Sequence, residues 1–120
     1  MEGARVLKIA AYQYDISQDI LKNYNEIENA IIEARKKDVD LIVFPECCLT
    51  GYPPRDIPRA DLVNFDLVKE TCSKIQILSN ELRISVLVGT VCKDNGQIYN
   101  RAVLFYTLEN YIRRKLTLIL

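Results

Sequence analysis

With 120 residues, 49% of them apolar and 27% charged, the chain has the length and composition of one globular domain. Enough apolar surface is present to exclude intrinsic disorder. Sixteen Lys and Arg balance sixteen Asp and Glu, so no global positive field draws in nucleic acid or an anionic membrane. Histidine is absent, which removes Ser-His-Asp and Cys-His catalysis and every His-based metal site from these residues.

The first predicted element is a buried strand over residues 6–12, the apolar run VLKIAAY. From residue 19 to 37 the apolar positions Ile20, Tyr24, Ile27, Ile31 and Ala34 recur in steps of three and four, one face of a helix. Ser17 or Asp19 is placed to cap its start, and Lys36 and Lys37 suit its end. Lys22, Asn25, Glu26, Asn29, Glu33 and Lys36 form the solvated face.

Residues 40–44 (DLIVF) read as the next buried strand, so the first three elements make a βαβ unit with a parallel pair. Residues 45–58 hold all four prolines and Gly51 and predict a long irregular loop. A second helix is expected over 60–82, with Leu62 or Val63, Leu67, Thr71, Ile75, Leu78 and Leu82 facing inward. A third strand spans 85–92 and a fourth 99–106, joined at Asn95-Gly96, a strong type I′ turn signal. Glu109-Asn110 reads as another turn and 111–120 as a fifth strand. The order β-α-β-α-β-β-β predicts an α/β sheet with helices packed on it.

The chain closes on the apolar run Leu116-Thr-Leu-Ile-Leu120, a sticky strand edge. We therefore expect a fragment, or a strand covered by another chain. Four cysteines stand at 47, 48, 72 and 92, two of them adjacent, which is no disulfide framework. The opening residues lack the basic-then-apolar pattern of a signal peptide, and no apolar run approaches the roughly 18 residues that span a bilayer. A cytoplasmic protein with reduced thiols is expected.

Candidate chemistry concentrates in residues 44–54 (FPECCLTGYPP). Ligands of open α/β sheets bind beyond the carboxyl ends of parallel strands, and Glu46 lies two residues past such a strand. Pro45 fixes the backbone before it. Its carboxylate reads either as a general base or as a surface glutamate in a turn. Lys115 reads as an edge-strand lysine that discourages aggregation. Without CxxC spacing among the four cysteines, no zinc site is expected. Cys72 and Cys92 read as small core or surface residues.

The run Asp40-Leu-Ile-Val-Phe-Pro-Glu46, followed by Leu49-Thr-Gly-Tyr52, resembles the glutamate motif of the nitrilase superfamily of carbon–nitrogen hydrolases. Lys8-Ile-Ala-Ala-Tyr-Gln13 is similar to its first strand, and Asn23, Ile27, Ile31 and Ala34 to its first helix. Gly89 with Tyr99-Asn100-Arg101-Ala102 is similar to its hairpin, and Arg114-Lys115-Leu116-Thr117-Leu118 to its lysine motif. The resemblance covers essentially the whole chain and implies the N-terminal part of an α-β-β-α sandwich, residues 1–120 forming a domain incomplete at its C-terminus. It also implies a Glu-Lys-Cys triad acting on non-peptide amide bonds, with Glu46 as base and Lys115 stabilising the tetrahedral intermediate. The family's nucleophilic cysteine follows the lysine motif, so it is expected outside these residues, and the chain alone is expected to be inactive. Cys47 and Cys48 fall where the family varies and are rejected as the nucleophile.

Residues Thr50-Gly-Tyr-Pro-Pro-Arg-Asp56 look most like the glutaminase domain of glutamine-dependent NAD synthetases. The resemblance implies a small amide substrate and no cofactor, with neither nucleic acid nor membrane as partner. A homo-oligomer or a complementary C-terminal half is the expected protein partner. The alternative is a non-catalytic binding or assembly module built on the same scaffold.

Overall fold

Asp19 sets where the first helix begins. Its carboxylate accepts from the N–H groups of Leu21 (3.0 Å) and Lys22 (3.3 Å), while Ser17 Oγ accepts from Asp19 N–H. Both residues expected at the cap are thus used, Asp19 as the cap itself. In this computed structural model, which describes residues 6–106, the order is β1 (Ile9–Ala11), α1 (Ile20–Lys36), β2 (Leu41–Val43), α2 (Phe65–Leu82), β3 (Ser85–Asp94) and β4 (Gln97–Phe105). The predicted order holds through β4, but the buried strand expected over 6–12 is only Ile9–Ala11, an edge strand with Ile9 56% exposed. The turn at Glu109-Asn110, the fifth strand at 111–120 and Lys115 lie outside the described residues.

Ile20, Ile27, Ala30, Ile31 and Ala34 bury the inner stripe of α1, with Tyr24 at its margin. The helix stops where Asp38 turns left-handed (φ 58°) and Val39 N–H bonds back to the Ala34 carbonyl. The buried polar Asn23 interrupts the apolar pattern and is bonded on both ends of its amide, as described below.

The second helix departs from expectation at its start. Residues 60–82 are not one helix. A 3-10 turn at Ala60–Leu62 ends at an extended Val63, and Asn64 then caps α2 by accepting from Leu67 N–H at 3.1 Å. Asn is a strong cap former, and its local bond outcompetes continuation of the helix. Leu62 is consequently 58% exposed, and of the two alternatives it is Val63 that packs against the core. Val68, Thr71, Ile75 and Ser79 are the buried line of α2, with Leu67, Leu78 and Leu82 at its edges. Thr71 and Ser79 are admitted to the core because their hydroxyls donate to backbone carbonyls, those of Leu67 and Val68 and of Ile84.

The sheet runs β1-β2-β3-β4. β1 pairs parallel with β2 (Ile9↔Leu41), β2 parallel with β3 (Leu41↔Ser85), and β3 antiparallel with β4 (Gly89↔Ala102, Val91↔Asn100). The hairpin turns at Asn95 (φ 51°) and Gly96 (φ 76°), the positive pair that a type I′ turn requires. Both helices pack on one face. Ile27, Ile31, Ile75, Ile84, Val86 and Val88 meet there at 0% exposure, together with Leu49 from the loop after β2. No described helix is long and apolar enough to cross a membrane.

Candidate active site

The loop that follows β2 carries Glu46 and is tied down on several sides. Phe44 N–H still bonds to the Leu87 carbonyl (2.9 Å), after which Pro45 ends the ladder. Cys47 takes a left-handed conformation (φ 52°), and Gly51 N–H reaches back to its carbonyl at 2.8 Å. Leu49 N–H donates to the Gly89 carbonyl (3.1 Å), and Val91 N–H donates to Thr50 Oγ1 (3.0 Å). On the far side, the Tyr14 hydroxyl donates to the Cys48 carbonyl and Asn23 Nδ2 to the Leu49 carbonyl.

This seam has no room for a side chain at Gly89. A Cβ there would lie 2.5 Å from Cys47 N, 2.6 Å from Pro45 O and 2.8 Å from Glu46 Cα. Glycine at this point of β3 is what lets the glutamate loop lie against the strand.

Glu46 projects exposed from this fixed loop, beyond the carboxyl end of β2, as its sequence position predicts. Its Oε1 accepts from Asn100 Nδ2 at 2.6 Å. It borders two clefts. One, about 610 Å3 and open, is lined by Gln13, Tyr14, Asp15, Tyr52, Arg55 and Asp56. The other, about 340 Å3, is lined by Val43, Leu87, Gly89, Asn100 and Ala102. In the first cleft Arg55 pairs with Asp56 (3.1 Å) and lies 5.8 Å from the Tyr52 ring centroid. The Tyr52 N–H, and then the Arg55 guanidinium, hold the Asp56 carboxyl below its usual value.

Cys47, Cys48 and Cys72 are poor nucleophiles where they stand. Burial, helped by the Glu46 charge, pushes the Cys47 thiol up to about 11. Burial raises Cys48 and Cys72 to about 11 as well. A protonated, buried thiol is inert, since the thiolate is the reactive form. Among the described residues, no three His, Cys, Asp or Glu side chains converge as metal ligands.

The residue that sequence reasoning missed is Asn100. It counted only as part of the hairpin pattern, with no link to Glu46. The turn at Asn95-Gly96 carried the signal, because a two-residue loop fixes the register that sets Asn100 opposite Val91, next to the Gly89 seam.

The carbon-nitrogen hydrolase family profile matches residues 8–119. The chain is 34% identical over 94 residues to a glutamine-dependent NAD(+) synthetase from Synechocystis, covering 71% of this chain and 16% of that protein. It is 31% identical over 87 residues to a nitrilase from Pyrococcus abyssi, covering 68% of this chain and 32% of that one. Among solved structures, an amidase from Nesterenkonia superposes with a TM-score of 0.70 at 22% identity, over 82% of this chain and 37% of the amidase. A glutamate-to-leucine variant of that amidase carries the acetamide moiety of fluoroacetamide on its active-site cysteine. The chain belongs to the carbon–nitrogen hydrolase family, and its fold is the N-terminal part of the nitrilase-type sandwich. It spans about a third or less of the length of the curated relatives that it matches.

Proposed function

We propose that these residues are the N-terminal portion of a cysteine-dependent amide hydrolase in which Glu46 is the general base. The observation that carries this reading is the placement of Glu46. Its carboxylate stands beyond a parallel strand, on a loop bonded to β3 and α1, at the edge of an open cleft. Lys115 is the cation of the proposed triad. The nucleophilic cysteine of this reading comes from chain outside these 120 residues; Cys47 and Cys48 beside Glu46 are buried, with thiols raised to about 11. Without that thiol these residues are inactive alone.

The steps follow from the chemistry of the groups. Glu46 takes the proton of the thiol, and the thiolate attacks the amide carbon. Lys115 balances the charge that develops on the carbonyl oxygen. The carbon–nitrogen bond breaks, the proton passes from Glu46 to the leaving amine or ammonia, and a thioester remains. Glu46 then removes a proton from water as it attacks the thioester, and the carboxylic acid and the thiol are released. No cofactor takes part.

The finer reading is a glutaminase, supported by the Thr50–Asp56 sequence and by the synthetase relative. The remaining half of the sandwich, on the same or another chain, is the partner this reading requires. Four free cysteines accord with a cytoplasmic setting.

The test is ammonia release from glutamine and from simple aliphatic amides by the full-length protein. Glu46→Gln and Lys115→Ala should each lower kcat by about 100-fold or more. Turnover that survives Glu46→Gln sinks the assignment. A correctly folded full-length protein with no amide turnover would favour the binding-module reading.

A further inference from the structure

Asn100 lies 54 positions beyond Glu46 and touches it. The hairpin register sets Asn100 opposite Val91, whose N–H is held by Thr50 of the glutamate loop. The two ends of its amide are both engaged by that loop. Nδ2 donates to Glu46 Oε1 at 2.6 Å, and Oδ1 accepts from the Cys47 thiol at 3.3 Å. An ionised carboxylate only accepts, so the amide must present its NH2 to Glu46. The reverse orientation would set two acceptors against each other. It would also leave Cys47 without its acceptor.

We propose that Asn100 is a positioning residue for Glu46, clamping the carboxylate at the junction of the two clefts, and that the Cys47 thiol sets the orientation of the clamp. This deepens the hydrolase reading and rests on Glu46 being its base. The device has a chemical logic. A short charge-assisted bond from a rigid strand removes rotamer freedom from an exposed glutamate. It leaves the second carboxylate oxygen, Oε2, without a bond to Asn100, and that oxygen is the one available to take a proton. The Cys47 thiol stays protonated across the neutral range, so it remains a donor to Oδ1. That gives the first of the two adjacent cysteines after the strand a use that is neither redox nor nucleophilic.

The test is a cycle of Asn100→Ala, Glu46→Ala and the double variant in the full-length protein, read in two ways. Urea midpoints report the contact. Asn100→Ala should lower the midpoint in the parent background and lower it clearly less once Glu46 is replaced, the remainder being the contact with Cys47. Equal shifts in both backgrounds overturn the inference, whether or not the protein hydrolyses amides. Kinetics report the consequence. Asn100→Ala should lower kcat by up to about 100-fold with KM unchanged. Asn100→Asp keeps the shape but sets a second carboxylate against Glu46, and should move the acid limb of kcat/KM to higher pH. A parent-like profile in Asn100→Asp also overturns the inference. Coupled urea midpoints with no amide turnover in the parent would count against the hydrolase reading and leave the Asn100–Glu46 clamp standing.

Discussion

Asn23 Nδ2 donates to the Leu49 carbonyl at 2.9 Å, joining the inner face of the first helix to the loop that carries Glu46. The same amide donates to the Ser17 carbonyl (2.7 Å) and accepts from Ser17 N–H (2.9 Å). A polar side chain at 1% exposure in an apolar stripe is tolerated because its donors and acceptor are used. One residue thereby fixes the segment before α1, the helix itself and the glutamate loop relative to one another.

Asn23→Leu is close in size and removes all of these bonds. It leaves the buried Leu49 carbonyl and the partly buried Ser17 backbone groups without this partner, and should cost about 2–3 kcal/mol. Urea denaturation checks this. A midpoint unchanged from the parent would mean that the loop holds its place without the amide.

Gly89→Ala should be the most damaging small substitution in the sheet. Its Cβ would meet backbone atoms of Pro45, Glu46 and Cys47, none of which can swing aside as a side-chain tip can. A cost of about 3 kcal/mol is expected. Gly96→Ala is the control, since no atom lies within 4 Å of its Cβ and only the φ of 76° opposes it, at about 1 kcal/mol. Equal losses for the two variants would show that the seam yields.

Alkaline pH should weaken the fold through its thiols. Cys47, Cys48 and Cys72 are each raised to about 11 from 9.0, burial being the largest cause. A group raised in the folded state contributes stability that is complete below its unfolded value and lost as pH climbs through the folded one. Melting temperature should therefore fall mainly between pH 9 and 11. At pH 8 the same thiols should react with a thiol reagent roughly 100-fold more slowly than in the unfolded chain, read site by site by peptide mass. Fast labelling of Cys47 or Cys48 in the native protein would contradict the buried, protonated state.

Asp56 shapes the cleft beside Glu46. Its carboxylate accepts from Tyr52 N–H at 2.8 Å and pairs with Arg55. Asp56→Ala should loosen residues 52–58 and speed limited proteolysis there, whereas Asp56→Asn keeps an acceptor for Tyr52 and should change it less. Because the carboxyl is held below 3.8 in the folded state, its contribution is present above that pH and is lost as pH falls through the lowered value. Identical proteolysis rates for the two variants would remove the carboxylate from this role.

The parts of the fold legible in the sequence were those governed by neighbours in the chain. Ile20, Ile27, Ile31 and Ala34 announce α1 by spacing alone, and Asn95-Gly96 announces its turn by backbone preference. The start of α2 was not legible. Leu62 and Val63 continue the apolar stripe, and only the bond from Leu67 N–H to the Asn64 side chain shows that the helix begins after them. Glu46 stood out by its motif and by its place at a strand end. What surrounds it did not, because Asn23, Gly89 and Asn100 reach the loop from other elements, and such contacts follow from register and packing rather than from local pattern. Lys115, named by its motif, lies outside the described residues.

The 54-residue span of the Glu46–Asn100 bond has a consequence for synthesis. Ribosomes add about 5–20 residues per second. The glutamate loop therefore exists for roughly 3–10 s before the asparagine that clamps it has been made. The β3–β4 hairpin then closes in microseconds once its turn is complete. Glu46 is among the earliest parts of the site to be translated and among the last to be set in place, so a pause in decoding between α2 and β4 would prolong the interval in which its loop stands without a strand to rest on.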